Sequence, residues 1–197
     1  TGEAYGAVIL AALAHLQNNE AGVAPGADPE YVHQMRVALR RLRAACGLFR
    51  GIIPEAVFDA QTAELRALAR ALAPAREWDV FMTETLPPVL QSFETSHAFD
   101  ALLPAFETMR RAANERARRA VRSRRYQLMV LDLARWVSGG AGVVLLSGEA
   151  ADTAAQPVCE FAGKVIARRY RKARRRGKDL DTCPIEALHE FRIAVKK

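Results

Sequence analysis

The amino-acid sequence predicts an all-α fold built from helical bundles that are related by an internal duplication. Apolar residues recur at three- and four-residue spacing along nearly the whole chain, as they do on one face of a helix. The only strand-like stretch is a brief Val-Val-Leu-Leu run at 143–146. A nine-residue segment that begins at His33 reappears at His189 with the same His, Arg and Ala positions.

Seven helices account for this spacing. Pro29, Pro54 and Pro184 suit the first turn of a helix, where the missing amide donor would be unpaired in any case. Pro87 and Pro88 should kink or end the helix that contains them. The predicted helices are Tyr5–Asn19, Pro29–Gly51, Pro54–Ala73, Arg76–Ser92, Ala98–Val137, Thr153–Gly177 and one from Pro184 onward.

A stretch rich in Gly, Ala and Ser marks the predicted domain boundary. We expect a complete first bundle over residues 1–137, a linker over 138–157, and the start of a second, truncated bundle over 158–197.

The charge of the chain points to an anionic partner. The 29 Lys and Arg residues outnumber the 22 Asp and Glu residues, which gives a net charge of +7. Arginine dominates the basic set, and its planar fork of donors suits phosphate oxygens.

The sequence disfavours disulfide-rich, metal-binding and membrane-spanning classes of protein. Cys46, Cys159 and Cys183 form no C-x-x-C pair, so neither a disulfide framework nor a zinc site is predicted. His33 and His189 lack a second metal-ligating residue at i+4, and no cofactor is predicted. No apolar run approaches the length of about 20 residues that spans a membrane, so we expect a cytoplasmic protein.

The repeated segment combines a core face with a cationic stripe. On a helical wheel, His33, Arg36, Arg40 and Arg43 fall within an arc of about 80°. An apolar arc adjoins it, formed by Met35, Leu39, Leu42 and Cys46. In the second copy, His189, Arg192 and Lys196 take the basic arc, and Leu188, Phe191 and Val195 lie beside them.

These motifs resemble the conserved histidine α-helical domain, or CHAD, family. The segment 30–43 is similar to the first motif of the family, Arg76-Glu77-Trp78-Asp79-Val80 to its characteristic turn, and 187–197 to the start of its second motif. The resemblance implies two helical bundles that bind inorganic polyphosphate on a basic surface between them, sometimes beside a triphosphatase domain. It also implies an association with polyphosphate granules.

Two further basic stripes fit such a ligand. One is predicted on a single helix over 110–126, and the other on the following bundle, where no acid interrupts residues 164–178. Against binding by the first stripe, Glu107 and Glu115 can pair locally with its arginines, and a solvated face is the more common meaning of such a pattern. The stripes comprise Arg111, Arg118, Arg122 and Arg125, and Lys164, Arg168, Arg171, Arg175 and Lys178.

Packing or capping roles are considered for several single residues. His33 and His189 either touch phosphate or serve as packing residues, and both roles stay open. Asp79 is expected to cap a helix or hold an arginine and not to act as a catalytic acid, while Trp78 packs.

The sequence favours polyphosphate binding without catalysis. It contains no Gly-rich phosphate loop, nucleophile elbow or paired acids suited to Mg²⁺. The alternatives are a nucleic-acid-binding helical protein, attracted by the same charges but poor in stacking aromatics, and an accessory module of a polyphosphate- or triphosphate-processing enzyme.

Overall fold

The computed structural model describes residues 1–24, 26–92, 99, 101–138, 147–178, 180 and 183–195, and these contain helices and no strand. The predicted all-α class is therefore confirmed for the described residues, and none of their helices is long and apolar enough to cross a membrane. The helices are α1 Gly2–Glu20, α2 Glu30–Leu48, α3 Glu55–Val80, α4 Leu86–Gln91, α5 Leu103–Val121, α6 Arg124–Ser138, α7 Glu149–Ala155, α8 Val158–Arg176 and α9 Ile185–Val195.

The core lies where α1, α2, α3 and α6 meet. On α2, the apolar arc predicted from the sequence is buried, with no more than 1% of each side chain exposed. It packs against leucines and isoleucines of the neighbouring helices, and this burial supplies the main stabilisation of the bundle. Burial of that arc leaves the adjoining basic arc of α2 at the edge of the core.

The predicted break between Ala73 and Arg76 is wrong, because α3 continues through Pro74 as far as Val80. Leu72 and Ala75 are fully buried on either side of the proline, and this packing holds the helix together despite the missing hydrogen bond. A π-helical turn at Phe81–Thr85 then leads into α4, which accommodates the Pro87-Pro88 pair near its first turn.

The long helix predicted over 98–137 is instead two helices, α5 and α6, separated at Arg122 and Ser123. The Ser123 hydroxyl accepts a 3.2 Å hydrogen bond from the Tyr126 amide, so this side chain caps the start of α6. The predicted Thr153–Gly177 helix is likewise divided at Pro157 into α7 and α8.

The segment after α6 also contacts the first bundle. The predicted linker contains helix α7, while residues 139–146, including the strand-like run, lie outside the described residues. At the start of α8, the Phe161 ring stacks on Phe49, with centroids 5.2 Å apart. Helix α8 is therefore joined to the core at its amino-terminal end.

Helices α8 and α9 form a hairpin, as α1 and α2 do. The turn after α8 favours glycine, because a Cβ at Gly177 would lie 2.7 Å from the Phe191 ring and the ring would have to shift. Gly22, in the turn between α1 and α2, has a similar close approach to the Tyr31 ring. The internal duplication itself stays a prediction.

Candidate functional site: a basic groove between α2 and α3

A groove of about 360 Å³ runs between α2 and α3 and is lined by basic side chains. Among the described residues, no acidic side chain lines it. The lining consists of His33, Arg36, Val37, Leu39, Arg40 and Arg43 from α2, and Ala69 and Arg76 from α3. The structure thus brings together all four members of the basic arc predicted for the first motif.

The position of these side chains follows from the helical phase of α2. Because Met35 and Leu39 face the core, the residue that follows each of them, about 100° further around the helix, lies at the border of the core with solvent. Arg36 is half-buried there and donates a 3.3 Å hydrogen bond from Nη1 to the carbonyl oxygen of Ala69. This bond leaves donors of the Arg36 guanidinium available to a ligand.

Arg40 and Arg43 are exposed further along the same face. Neither side chain forms a hydrogen bond or an ion pair with a described residue. The His33 side chain lies half-buried in the wall of the groove and likewise has no such partner among the described residues. An exposed row of unpaired cations is the arrangement that an oxyanion ligand would stabilise.

Arg76 also lines the groove, although it was not among the predicted binding residues; it belongs to the 76–80 motif. Its Nη2 lies 3.4 Å from Oε1 of Glu84, which the π-helical turn brings alongside. The Arg76 side chain is 24% exposed, so it is largely enclosed. Arg76 lies seven residues, about two helical turns, beyond Ala69, and therefore on the same face of α3.

The end of α3 is fixed by a buried carboxylate. Asp79 is 1% exposed and accepts a 2.8 Å hydrogen bond at Oδ1 from Arg110 Nε of α5. Asn114 Nδ2 lies 3.4 Å from the same oxygen. Asp79 holds an arginine, as predicted, and Trp78 packs against Phe81 and Phe106. This network positions the part of α3 that carries Arg76.

The stripe predicted over 110–126 is not a continuous row on one helix, because Arg125 lies on α6. Three of its four arginines are paired with acids. Arg111 pairs with Glu107 at 3.3 Å, and Arg118 donates two 2.9 Å hydrogen bonds to Glu115. These bonds from Arg118 lower the pKa of the Glu115 carboxyl.

The third pair links two helices. Arg125 donates hydrogen bonds of 2.6 and 3.0 Å to Glu64 of α3 and lowers the pKa of its carboxyl. Arg122 is exposed at the end of α5. Acids therefore already pair with three of the four arginines, so phosphate binding by this stripe, which stays a prediction, should be weaker than at the groove.

More of the cations in the stripe on α8 lack a partner than in the stripe over 110–126. Lys164 donates to the side-chain oxygen of Gln156 at 3.2 Å. The side chains of the remaining members are exposed and form no hydrogen bond or ion pair with any described residue; they are Arg168, Arg171 and Arg175 of α8, and Lys178 just after that helix. This face of α8 is the second concentration of free cations in the described structure.

The second motif is placed apart from the groove. His189 and Arg192 are exposed on α9, which packs against α8, and neither lines the groove. Lys196 lies outside the described residues. Leu188 and Val195, predicted as core positions of this motif, are 41% and 61% exposed.

No group of three or more potential metal-ligating side chains is present in the described part of the chain. The three cysteines are free thiols, and burial raises the pKa of Cys46, the one in the core.

The family model described as the CHAD domain matches residues 7–197, which is nearly the whole chain. The chain belongs to the CHAD family. This CHAD chain is also similar to the crystal structure of the CHAD domain from the plant Ricinus communis, with 30% sequence identity and a TM-score of 0.76. The similarity covers 99% of this chain and 62% of that chain, so this chain spans less than two thirds of the length of that structure. No curated protein matches it.

Proposed function

We propose that this CHAD chain binds inorganic polyphosphate, and that the groove between α2 and α3 is a primary contact site. The observation that carries the proposal is the clustering of Arg36, Arg40, Arg43 and Arg76 in one groove whose described lining contains no acid, although Arg76 pairs with Glu84 outside that lining. By contrast, a glutamate pairs with each of Arg111, Arg118 and Arg125 on α5 and α6.

The chemistry of the ligand fits this arrangement. A linear polyphosphate presents a row of anionic oxygens that accept hydrogen bonds, and it has no base or sugar to recognise. Arginines at positions 36, 40 and 43 of one helix rise by about 10 Å along its axis, so they present guanidinium groups in a row. Each such contact displaces counterions, and binding should weaken steeply as salt increases.

The free cations of α8 are proposed as a second contact region for the same ligand. Lys164, Arg168, Arg171 and Arg175 lie on one face, and like charges at this density destabilise a helix unless an anion offsets them. His189, Arg192 and Lys196 of the second motif belong to the proposal through their resemblance to the first motif. The proposal includes a cleft that these residues share with the first motif.

The sharpest test compares two arginines that differ mainly in whether an acidic side chain already pairs with them. Arg40→Ala should weaken polyphosphate binding by about tenfold, because an unpaired guanidinium on the groove loses its charge-assisted bonds. Arg118→Ala removes the same charge from α5, where Glu115 already holds the guanidinium, and should change affinity about twofold or less. Isothermal titration at fixed salt measures both. Equal losses from the two variants would indicate a diffuse electrostatic attraction and contradict a defined groove.

Nucleic acid is the second candidate ligand, because the same charges attract its backbone. Competition between long-chain polyphosphate and duplex DNA at fixed salt separates the two. Displacement of polyphosphate by equal phosphate concentrations of DNA would favour the nucleic-acid function.

We also propose that the chain binds without catalysis, in the cytoplasm, beside a triphosphatase domain or on polyphosphate granules. Binding should then persist with a chelator present, and purified protein with Mg²⁺ or Mn²⁺ should release no orthophosphate from polyphosphate. Chelator-sensitive release by the protein would establish an enzyme and overturn the non-catalytic part of the proposal.

A further inference from the structure

The side of α3 that borders the basic groove carries two arginines that are not part of the groove lining. Arg66 and Arg70 are both exposed, and their side chains form no hydrogen bond or ion pair with any described residue. They are four residues apart, so they are neighbours on the surface of the helix, where like charges repel each other. No described group of the protein offsets their charge by direct contact.

Helical phase places Arg66 nearer to the groove than Arg70. Relative to Ala69, which lines the groove, Arg66 lies about 60° around α3 and Arg70 about 100° in the same direction. The fully buried Leu65 and Leu72 lie on the other side of Ala69, toward the core. Arg66 is therefore the first cation of α3 on the solvent side of the groove.

One contact fixes the register of α3 against α2. Arg36 donates its 3.3 Å hydrogen bond to the carbonyl oxygen of Ala69, and the short connection over 49–54 makes the two helices antiparallel. Arg40 lies four residues after this contact on α2, and Arg66 lies three residues before it on α3. These offsets are rises of about 6 Å and 4.5 Å in the same direction. Arg40 and Arg66 are therefore nearly level with each other across the groove.

The two helices carry no acid along the stretch where these arginines face each other. Helix α2 contains no Asp or Glu after its first residue, and α3 contains none between Glu64 and Glu77. Glu64 lies about 160° around α3 from Arg66 and is paired with an arginine of α6. On the side of Arg66, Asp59 and Glu77 are seven and eleven residues away, or about 10 and 16 Å along the axis. The positive charge beside the groove is therefore not compensated locally.

We infer that Arg66 is a further polyphosphate-binding residue, so that the ligand is held between α2 and α3 and not along α2 alone. This inference rests on the proposed function and deepens it. A row of phosphates that follows Arg36, Arg40 and Arg43 has anionic oxygens on its far side as well. A guanidinium on α3 donates charge-assisted hydrogen bonds to those oxygens, and Arg76 does the same at the other end of the groove.

Three alanine variants of the intact chain test this inference, with long-chain polyphosphate as the probe. Arg66→Ala removes the inferred contact, and Arg40→Ala removes the cation opposite it. Arg116→Ala is the matched control, because Arg116 is an exposed arginine of α5 whose side chain has no partner among the described residues and does not line the groove. All three variants lose one positive charge. Isothermal titration at fixed salt measures affinity, and thermal melting checks that each variant is folded.

We expect Arg66→Ala to weaken binding about five- to tenfold and Arg116→Ala about twofold or less. Arg66→Lys keeps the charge without the planar fork of donors, so its affinity should lie between those of the wild type and Arg66→Ala. Bound polyphosphate should also protect Arg66 from modification by phenylglyoxal, followed by mass spectrometry, and leave Arg116 reactive.

The outcomes separate this inference from the proposed function. If Arg40→Ala weakens binding while Arg66 matches Arg116 in both affinity and protection, the contact from α3 is wrong and the groove on α2 still stands. If the wild type does not bind polyphosphate at all, the proposed function fails and the inference fails with it.

Discussion

The carboxylate of Asp79, at the end of α3, is joined to Arg110 of α5 by a 2.8 Å hydrogen bond from Nε to Oδ1. The interaction also raises the pKa of Arg110, chiefly through this hydrogen bond. Because Asp79 is 1% exposed while Arg110 is 23% exposed, the buried carboxylate depends on this partner for its compensation.

Replacing Asp79 with Asn should lower the free energy of unfolding by about 2 to 4 kcal/mol. The amide cannot compensate Arg110, which would keep only its 3.5 Å contact with Glu107. Urea denaturation followed by circular dichroism measures the loss. Glu107→Gln is the control, and because that side chain is 37% exposed it should cost less than about 1 kcal/mol. Similar losses in the two variants would mean that the buried pair has no special role.

Arg36 makes a modest structural contact and, in the proposed function, also contacts the ligand. Arg36→Ala should weaken polyphosphate binding about ten- to hundredfold, while the loss of its 3.3 Å bond to the Ala69 carbonyl should cost less than about 1 kcal/mol of stability. Titration and thermal melting of the same preparation separate the effects. A large drop in stability with binding intact would make Arg36 a structural residue.

The aromatic stack at Phe49 should hold α8 against the first bundle. Phe49 is 4% exposed and lies between Tyr5 and Phe161, so Phe49→Ala should destabilise the protein by about 3 to 5 kcal/mol. Phe161→Ala removes only the outer ring of the stack, and it should increase amide hydrogen exchange in α8 while α2 stays protected. Uniform exchange across both helices would instead indicate that α8 and the core unfold together.

Tyr126 gives the stability of the chain a dependence on alkaline pH. Burial, and then its hydrogen bond to Glu20, raise the pKa of this phenol above its ordinary value. A raised pKa in the folded state means that the stabilisation is complete below the unfolded pKa, about 10, and is lost as pH rises further.

Tyr126→Phe should therefore lower the free energy of unfolding by about 1 to 3 kcal/mol at pH 7, through loss of the bond to Glu20. Above pH 10, the variant should lose stability less steeply than the wild type, by up to about 1.4 kcal/mol per pH unit. Urea melts at pH 7, 9 and 11 provide the comparison. Parallel pH profiles would show that Tyr126 is equally acidic in the folded and unfolded chains.

Helical phase explains which parts of the site could be predicted from the sequence. The apolar positions of α2 predicted its buried face, and that face in turn fixed the border on which Arg36 and Arg40 lie. The same reasoning failed for Arg125, because the helix break at Ser123 depends on a side-chain cap and on packing between α5 and α6. It failed also at Pro74, where burial on both sides outweighs the preference of proline to end a helix.

Composition and periodicity by themselves determined the helical class, the basic character and the core face of the first motif, since these depend on local spacing and on counting charges. Which cations remain free was decided partly by local sequence and partly by the tertiary structure. The pairing of Arg118 with Glu115, three residues away on α5, could be anticipated from the sequence, whereas the groove around Arg40, which no described acid lines, could not. The pairing of Glu64 with Arg125, 61 residues apart, and the entry of Arg76 into the groove likewise depend on how α3 packs against its neighbours.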